Sequence, residues 1–391
     1  MAVDLVKVQL QTHIRNHLLT ISFSAGNELV ALLGREGAGK TEILRSLAGV
    51  YAPENGQIEI QGRTVFNPAL AINVPSVQRH VGWVPKVSSL FPNQSVSENV
   101  RFPFRRGFPL SEHEAERRIH DTMALLGLDE RRNRLVRDLD PREQYWVALA
   151  RTLVLDPEVL LIDQPFDGME VTLQRKLRHD IQRIRRLISV PALVATNDLE
   201  EAYEIGDRIA LIHEGQLLQI DPPRKLVTRP ANRVVADLVR SVNVFSGNVL
   251  EAFDDGLIVE TDLGMLHVAG IRHDVGPVEV VIRPEHVRVL ADGSVKTSDG
   301  NVVHGTVLET TDYGALYTLV FHPDGAPSSM VLEVSISEPL YRQLKLESRG
   351  RRVIELPAHA LHVMDVAADV EGDPDWIPED ARQVENQEPL V

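Results

Sequence analysis

The chain contains no cysteine, which excludes disulfides, thiolate metal centres and cysteine nucleophiles. Positive charge is also scarce: 41 Lys and Arg stand against 56 Asp and Glu, a formal net charge of −15. That balance argues against a general nucleic-acid binder, whose affinity rests on neutralising phosphates, and against adsorption to anionic lipid. Uncharged apolar runs are short, none reaching the roughly 18 residues a membrane span needs. The opening MAVDLVKVQLQTH lacks the charged-then-apolar build of a signal peptide. A cytosolic location is expected, with membrane contact only through a partner.

What is present suffices for a sizeable core, since 43% of the residues are hydrophobic. At 391 residues the chain is too long for one ordinary domain, and two are expected. The first portion mixes strand-like and helical patterns, as α/β folds do. ELVALLG (Glu28–Gly34) reads as a buried strand and KTEILRSLAGV (Lys40–Val50) as a helix presenting Ile43, Leu44 and Leu47. QIEIQGRTVF and RIALIHEGQLLQID read as hairpins, the second turning at Glu214-Gly215. Ser111 to Leu128 has helical spacing, which YWVALARTLVL continues, whereas EVLLID and PALVAT have the wholly apolar character of parallel strands. One helix is expected over Leu226–Arg240. From Asn243 the texture becomes short alternating runs with Gly and Asp turns, predicting an all-β barrel or sandwich. The expected domains are thus 1–240, 241–366 and a loose acidic tail, 367–391, in which Trp376 and Ile377 are the candidate docking residues.

GREGAGKT (Gly34–Thr41) matches G-x-x-x-x-G-K-[ST] between a strand and a helix, where that pattern has a mechanism. Gly37 and Gly39 let the backbone curl so that N–H groups face phosphate oxygens, and the helix N-terminus adds partial positive charge. Lys40 can reach the β- and γ-phosphates, and Thr41 can ligate Mg²⁺. The candidate phosphate-binding set is Gly34, Gly37, Ala38, Gly39, Lys40, Thr41 and Glu42. VLLIDQP (Val159–Pro165) places Asp163 at the end of a buried strand, where a carboxylate can hold the metal with Thr41.

These blocks, with VGWVPKVSSLFPNQSVSENV, DLDPREQYWVALARTLVLDPEVLLIDQPF and ALVATNDLEEAYEIGDRIALIHEGQLLQ in order and spacing, resemble the ATP-binding subunits of ABC importers. VVIRPEHVRVL and the β-rich remainder look like the oligomer-binding-fold accessory domain of importers for sugars, polyamines, iron and oxyanions. The N-terminal phrasing is most similar to molybdate-type subunits, and the resemblance runs from about Val3 to Asp365. It implies a P-loop ABC ATPase domain with a helical subdomain, then an OB-like all-β domain. It also implies ATP and Mg²⁺ as cofactors. The implied partners are membrane permease subunits, holding the chain on the inner face of the cell membrane, and a second ATP-binding subunit, in a homodimer or a heterodimer.

Carried over position by position, the resemblance also exposes losses. The family's glutamine after VGWV, which touches Mg²⁺, is Lys86 here. The Leu-Ser-Gly-Gly-Gln signature is LDPRE (Leu139–Glu143), the catalytic glutamate is Gln164, the Ser-x-Leu-Asp loop is DGME (Asp167–Glu170) and the switch histidine is Asn197. No Tyr or Phe precedes Phe23 to stack on adenine, and His13 is the nearby ring. Gln164 cannot accept a proton from attacking water, and loss of a general base lowers a rate by roughly 10²–10⁴. Lys86 either competes with Mg²⁺ or stands in for part of its charge. Pro141 has no N–H to donate, and Arg142 is the residue that could reach phosphate instead. Asp140, Pro141 and Glu143 equally form a strong helix start. Weak or absent hydrolysis is expected; an import motor with a rebuilt catalytic set and a regulatory subunit that senses an anion or partner are the alternatives.

Other features read more plainly. In RKLRHDIQRIRRL (Arg175–Leu187) helical spacing turns Leu177, Ile181, Ile184 and Leu187 inward and leaves a solvated basic face. His267, His273, His286, His304, His322, His359 and His362 show no metal-ligand repeat. Thr310, Thr311 and Ser335 are candidate oxyanion contacts or ordinary strand hydroxyls, and Leu90-Phe91-Pro92 is either a docking patch or core.

Overall fold

A computed structural model describes residues 4–14, 17–87, 89–106, 110–185, 187–271, 273–291, 300–346 and 350–366. The tail from Glu371, with Trp376 and Ile377, lies outside them. The chain divides into two compact units, 1–223 and 224–391, so the division precedes the change of sequence texture at Arg240. No described helix is long and apolar enough to cross a membrane.

The first unit contains, in chain order, β1 (Val6–Ile14), β2 (His17–Ala25), β3 (Leu29–Leu33), α1 (Lys40–Ala48), β4 (Asn55–Ile60), β5 (Arg63–Asn67), β6 (Ile72–Asn73) and β7 (Val81–Val84). Then come α2 (Val96–Arg101), α3 (Glu112–Leu125), α4 (Pro141–Leu153), β8 (Val159–Asp163), α5 (Val171–Arg185), β9 (Ala192–Thr196), α6 (Leu199–Ile205), β10 (Arg208–His213) and β11 (Gln216–Asp221). Among the described residues these strands form one sheet in the order β6-β5-β4-β1-β2-β11-β10-β3-β9-β8-β7. The β10-β3-β9-β8-β7 portion is parallel, and β1, β2, β4, β5 and β6 pair antiparallel. Every residue of β3, β8 and β9 is buried, as strands covered on both faces require.

α1 buries Ile43, Leu44 and Leu47 in one core cluster with β1 and β2, and α4 and α5 bury Trp146, Leu177 and Ile181 in another. Each such side chain contributes about 1.5–3 kcal/mol. Leu187 departs from the expected inward face: α5 ends at Arg185 and Leu187 is 55% exposed. α3 and α4 are separate helices, because Asp140 caps a new start at Pro141.

α7 (Pro223–Thr228) begins at the last residue of the first unit and is followed by α8 (Arg233–Leu238), where one continuous helix was expected. Pro230 and the Asn232 cap, which accepts from the Val235 N–H at 3.0 Å, divide it. There follow β12 (Asn243–Ala252), β13 (Gly256–Thr261), β14 (Gly264–Ala269), β15 (Gly276–Ile282), β16 (Arg288–Leu290), β17 (Gly300–Asp312), β18 (Leu316–Pro323), β19 (Leu332–Ser337), α9 (Glu338–Gln343), β20 (Arg351–Pro357) and β21 (His362–Asp365). Among the described residues they make two antiparallel sheets, β14-β13-β12-β15-β21 and β16-β20-β17-β18-β19. Both sheets feed one apolar core, as with Val259 and Val280 from the first and Phe321 and Val334 from the second. The buried Asn243 amide clasps the Glu333 backbone of β19 through two 2.7 Å hydrogen bonds.

One buried cation supports the phosphate-loop helix. α1 ends where Gly49 turns left-handed (φ 72°). There the Arg79 guanidinium, 0% exposed, donates to the carbonyls of Ser46 (2.6 Å) and Leu47 (3.2 Å), to Val74 O (2.7 Å) and to Asn73 Oδ1 (2.9 Å). Replacing Arg79 with Met leaves those acceptors buried and unpaired, an expected loss on the order of 3 kcal/mol. Urea unfolding checks this; a loss under about 1 kcal/mol would mean that the carbonyls find other donors.

Candidate functional site

The loop between β3 and α1 is shaped by its glycines. Gly37 and Gly39 take φ of 83° and 103°, values that side chains resist. A Cβ on Gly34 would lie 2.3 Å from Ile212 O, and one on Gly39 would lie 2.6 Å from Leu19 Cδ1. Ala38 is buried, its N–H donating to Arg35 O at 3.2 Å, and Glu42 sits in the first turn of α1. Gly39 is the N-cap and supplies no side-chain cap.

Lys40 spans the loop from inside, its Nζ 2.8 Å from both Gly34 O and Arg35 O. Burial pushes this ammonium down to about 8, against the opposing pull of Asp163, Glu36 and Glu42. The Thr41 hydroxyl donates to Asp163 at 3.1 and 3.2 Å. β9 separates β3 from β8 in the sheet, so this contact reaches across an intervening strand. Burial raises the Asp163 carboxyl pKa, while Thr41 and the positive charges of Arg45 and Lys40 lower it. Backbone N–H groups and an ammonium suit an oxyanion, and a hydroxyl beside a carboxylate suits a hard divalent cation.

The residues beyond Asp163 are differently equipped. Gln164 is left-handed at φ 48°, and its buried Oε1 accepts no hydrogen bond among the described residues. Its N–H donates to Ala195 O at 3.0 Å, fixing the β8 end against β9. Lys86 Nζ lies 2.9 Å from Asp167 Oδ2, so two of the unusual positions are paired with each other. Asn197 is exposed at the end of β9. Beside it, the buried Glu201 carboxyl accepts from the Thr196 hydroxyl, and burial raises its pKa.

LDPRE starts α4 as its sequence requires. Asp140 Oδ1 accepts from the Glu143 N–H at 2.7 Å, and Glu143 Oε2 accepts from the Asp140 N–H at 3.2 Å, with Pro141 in the first turn. Arg142, the residue proposed to reach phosphate, is instead engaged by Asp180 of α5, with Nε 2.7 Å from Oδ2. That carboxylate competes for the guanidinium, and sequence spacing carried no sign of it. His13 is likewise occupied, its Nδ1 lying 2.9 Å from Glu54 Oε2. Leu90 and Phe91 are half-buried, with the Phe91 ring 4.5 Å from that of Phe102, while Pro92 is exposed.

In the second unit, Thr311 and Ser335 both lie opposite Thr318, in one row across β17, β18 and β19, and Thr310 lies one step along. Among the described residues no three His, Asp or Glu side chains gather as a metal would require.

A family profile described as ABC transporter matches residues 18–167. A molybdate/tungstate import ATP-binding protein of Pyrococcus horikoshii is 31% identical over 348 residues, 88% of this chain and 95% of that protein. A spermidine/putrescine import ATP-binding protein of Rubrobacter xylanophilus is 34% identical, covering 76% of this chain and 77% of its own length. An Fe(3+) ions import ATP-binding protein of Brucella melitensis is 31% identical, covering 83% and 90%. The structure of cbiO1 from Clostridium perfringens, part of the ABC transporter complex cbiONQ, superposes with a TM-score of 0.51 at 21% identity. It covers 57% of this chain and 90% of that one.

The Arg142–Asp180 contact is directly measurable. A double-mutant cycle with Arg142→Ala and Asp180→Ala is expected to give a coupling of about 1–2 kcal/mol in urea unfolding. A coupling near zero would return Arg142 to the pool of free cations.

Proposed function

The chain belongs to the ABC transporter family as a nucleotide-binding subunit of the importer kind, and on that premise we propose that it binds ATP at Gly34–Thr41 while hydrolysing it slowly or not at all. The observation that carries this reading is a contrast within one site. Lys40, Thr41 and Asp163 are assembled around a glycine cradle, whereas the neighbour of Asp163 is an amide. Lys40 and the N–H groups opening α1 hold the phosphates, and Thr41 with Asp163 holds the magnesium ion. When bound, that ion supplies charge neutralisation to the phosphate oxygens. Gln164 orients a water but takes no proton from it. Asn197 offers hydrogen bonds in place of a titrating ring, and Pro141 removes an N–H donor from the signature turn.

In this reading ATP acts as an adhesive between two nucleotide-binding subunits, whose closure is transmitted to permease subunits on the inner face of the membrane. A complete ATPase as the second subunit would give one composite site from this chain's phosphate loop and the partner's signature.

Phosphate release from Mg-ATP by the purified chain tests the reading, with Lys40→Ala as the blank. Release indistinguishable from the blank is expected, while Gln164→Glu is expected to raise it at least about tenfold. Wild-type release well above the blank would overturn the proposal, and an unresponsive Gln164→Glu would move the block to Asp140–Arg142.

The low Lys40 value has its own signature. The charged ammonium is the form that binds phosphate, and it is present below a pH of about 8 in the nucleotide-free chain. ATP affinity is therefore expected to hold up to that point and then fall by up to about tenfold per pH unit. Calorimetric titrations from neutral to alkaline pH check this; an affinity that stays flat would mean Lys40 keeps its proton throughout.

A further inference from the structure

Lys86 leaves the end of β7 alongside the residues that leave the end of β8. The two strands are parallel neighbours with Val84 opposite Ile162, so Pro85 and Lys86 leave the sheet at the same edge as Asp163 and Gln164. Its ammonium is on the protein surface, with 44% of the side chain exposed, and so is its counter-ion Asp167, at 56%. Asp167 does most to hold the ammonium in its charged form, and Asp163 and Glu36 add to this through their charge. A permanent cation therefore stands at the edge of the Thr41–Asp163 pair, on a long, flexible stem.

Exposed ion pairs contribute little and reform readily, so Asp167 restrains Lys86 only loosely. A triphosphate arriving on the loop presents more negative charge than one carboxylate does. Lys86 is close enough to Asp163 and Glu36 to feel both charges, and its resting contact is Asp167, 2.9 Å away.

We infer that Lys86 is a tethered cation that supplies part of the charge magnesium would otherwise supply, so that this subunit holds ATP with little dependence on Mg²⁺, and that Asp167 is its resting partner. The inference rests on the reading of Gly34–Thr41 as an ATP site. It also turns the substitutions at 86 and 167 into one device: an acid at 167 is needed because a base stands at 86.

Titration of ATP into the full chain, with Mg²⁺ or with EDTA, decides the matter without reference to turnover. Wild-type affinity is expected to fall less than about threefold on metal removal, and that of Lys86→Gln at least about tenfold. Lys86→Arg keeps the charge and should behave as wild type. Asp167→Ser, which frees the ammonium, should tighten metal-free binding about two- to threefold. Equal losses in wild type and Lys86→Gln would overturn the inference while leaving ATP binding intact. Wild-type binding no better than that of Lys40→Ala, with or without metal, would overturn the ATP reading and this inference together.

Discussion

Everything at the candidate site depends on the carboxyl ends of four parallel strands being held level. Hydrogen bonding sets Leu33 of β3 opposite Thr196 of β9, Ala195 of β9 opposite Asp163 of β8, and Ile162 of β8 opposite Val84 of β7. The loops that follow must then emerge at one edge, the place where open α/β sheets bind ligands. Because β3, β8 and β9 are almost wholly apolar and buried on both faces, a slip in register would bury Asp163 without Thr41 or expose apolar surface. The hydrophobic effect thus sets the positions of polar groups that contribute little to stability themselves.

Within that frame, the groups suited to holding an anion and the single side chains at the strand ends sit in different kinds of place. Anion binding draws on backbone geometry, a helix terminus and one ammonium, and all three are built into the β3–α1 junction. Single side chains at loop ends can change with little disturbance to packing. Gln164, Asn197, Asp167 and Lys86 are all at such ends. At Asp140 and Pro141 the turn is occupied by a capping box, which strengthens the start of α4.

How much of this was legible beforehand depends on whether the signal is local. The glycine turn between β3 and α1, the hairpin in QIEIQGRTVF, the one turning at Glu214-Gly215, the buried strands and the Asp140 cap were legible because adjacent residues determine them. The split between α7 and α8 was not read, though Pro230 marked it, since the apolar spacing continues across the break. Leu187 carried the right periodicity one turn too far, past the end of α5 at Arg185. The partners of Lys86, Arg142 and His13 are Asp167, Asp180 and Glu54, residues far away along the chain. Charge alone could not choose among the 56 carboxylates available.

Arg79 illustrates a role of a different kind. Its guanidinium is locked against the last carbonyls of α1, a helix of nine residues and so about 13 Å long. The other end of the same rod opens onto the phosphate loop. Aligned peptide dipoles make that end positive and the Arg79 end negative. A buried cation at the negative pole, in a medium that screens poorly, steadies the polarisation of the whole rod and adds its own field along it. The field at Gly39 is therefore set in part from the opposite end of α1, by a residue outside the Gly34–Thr41 loop.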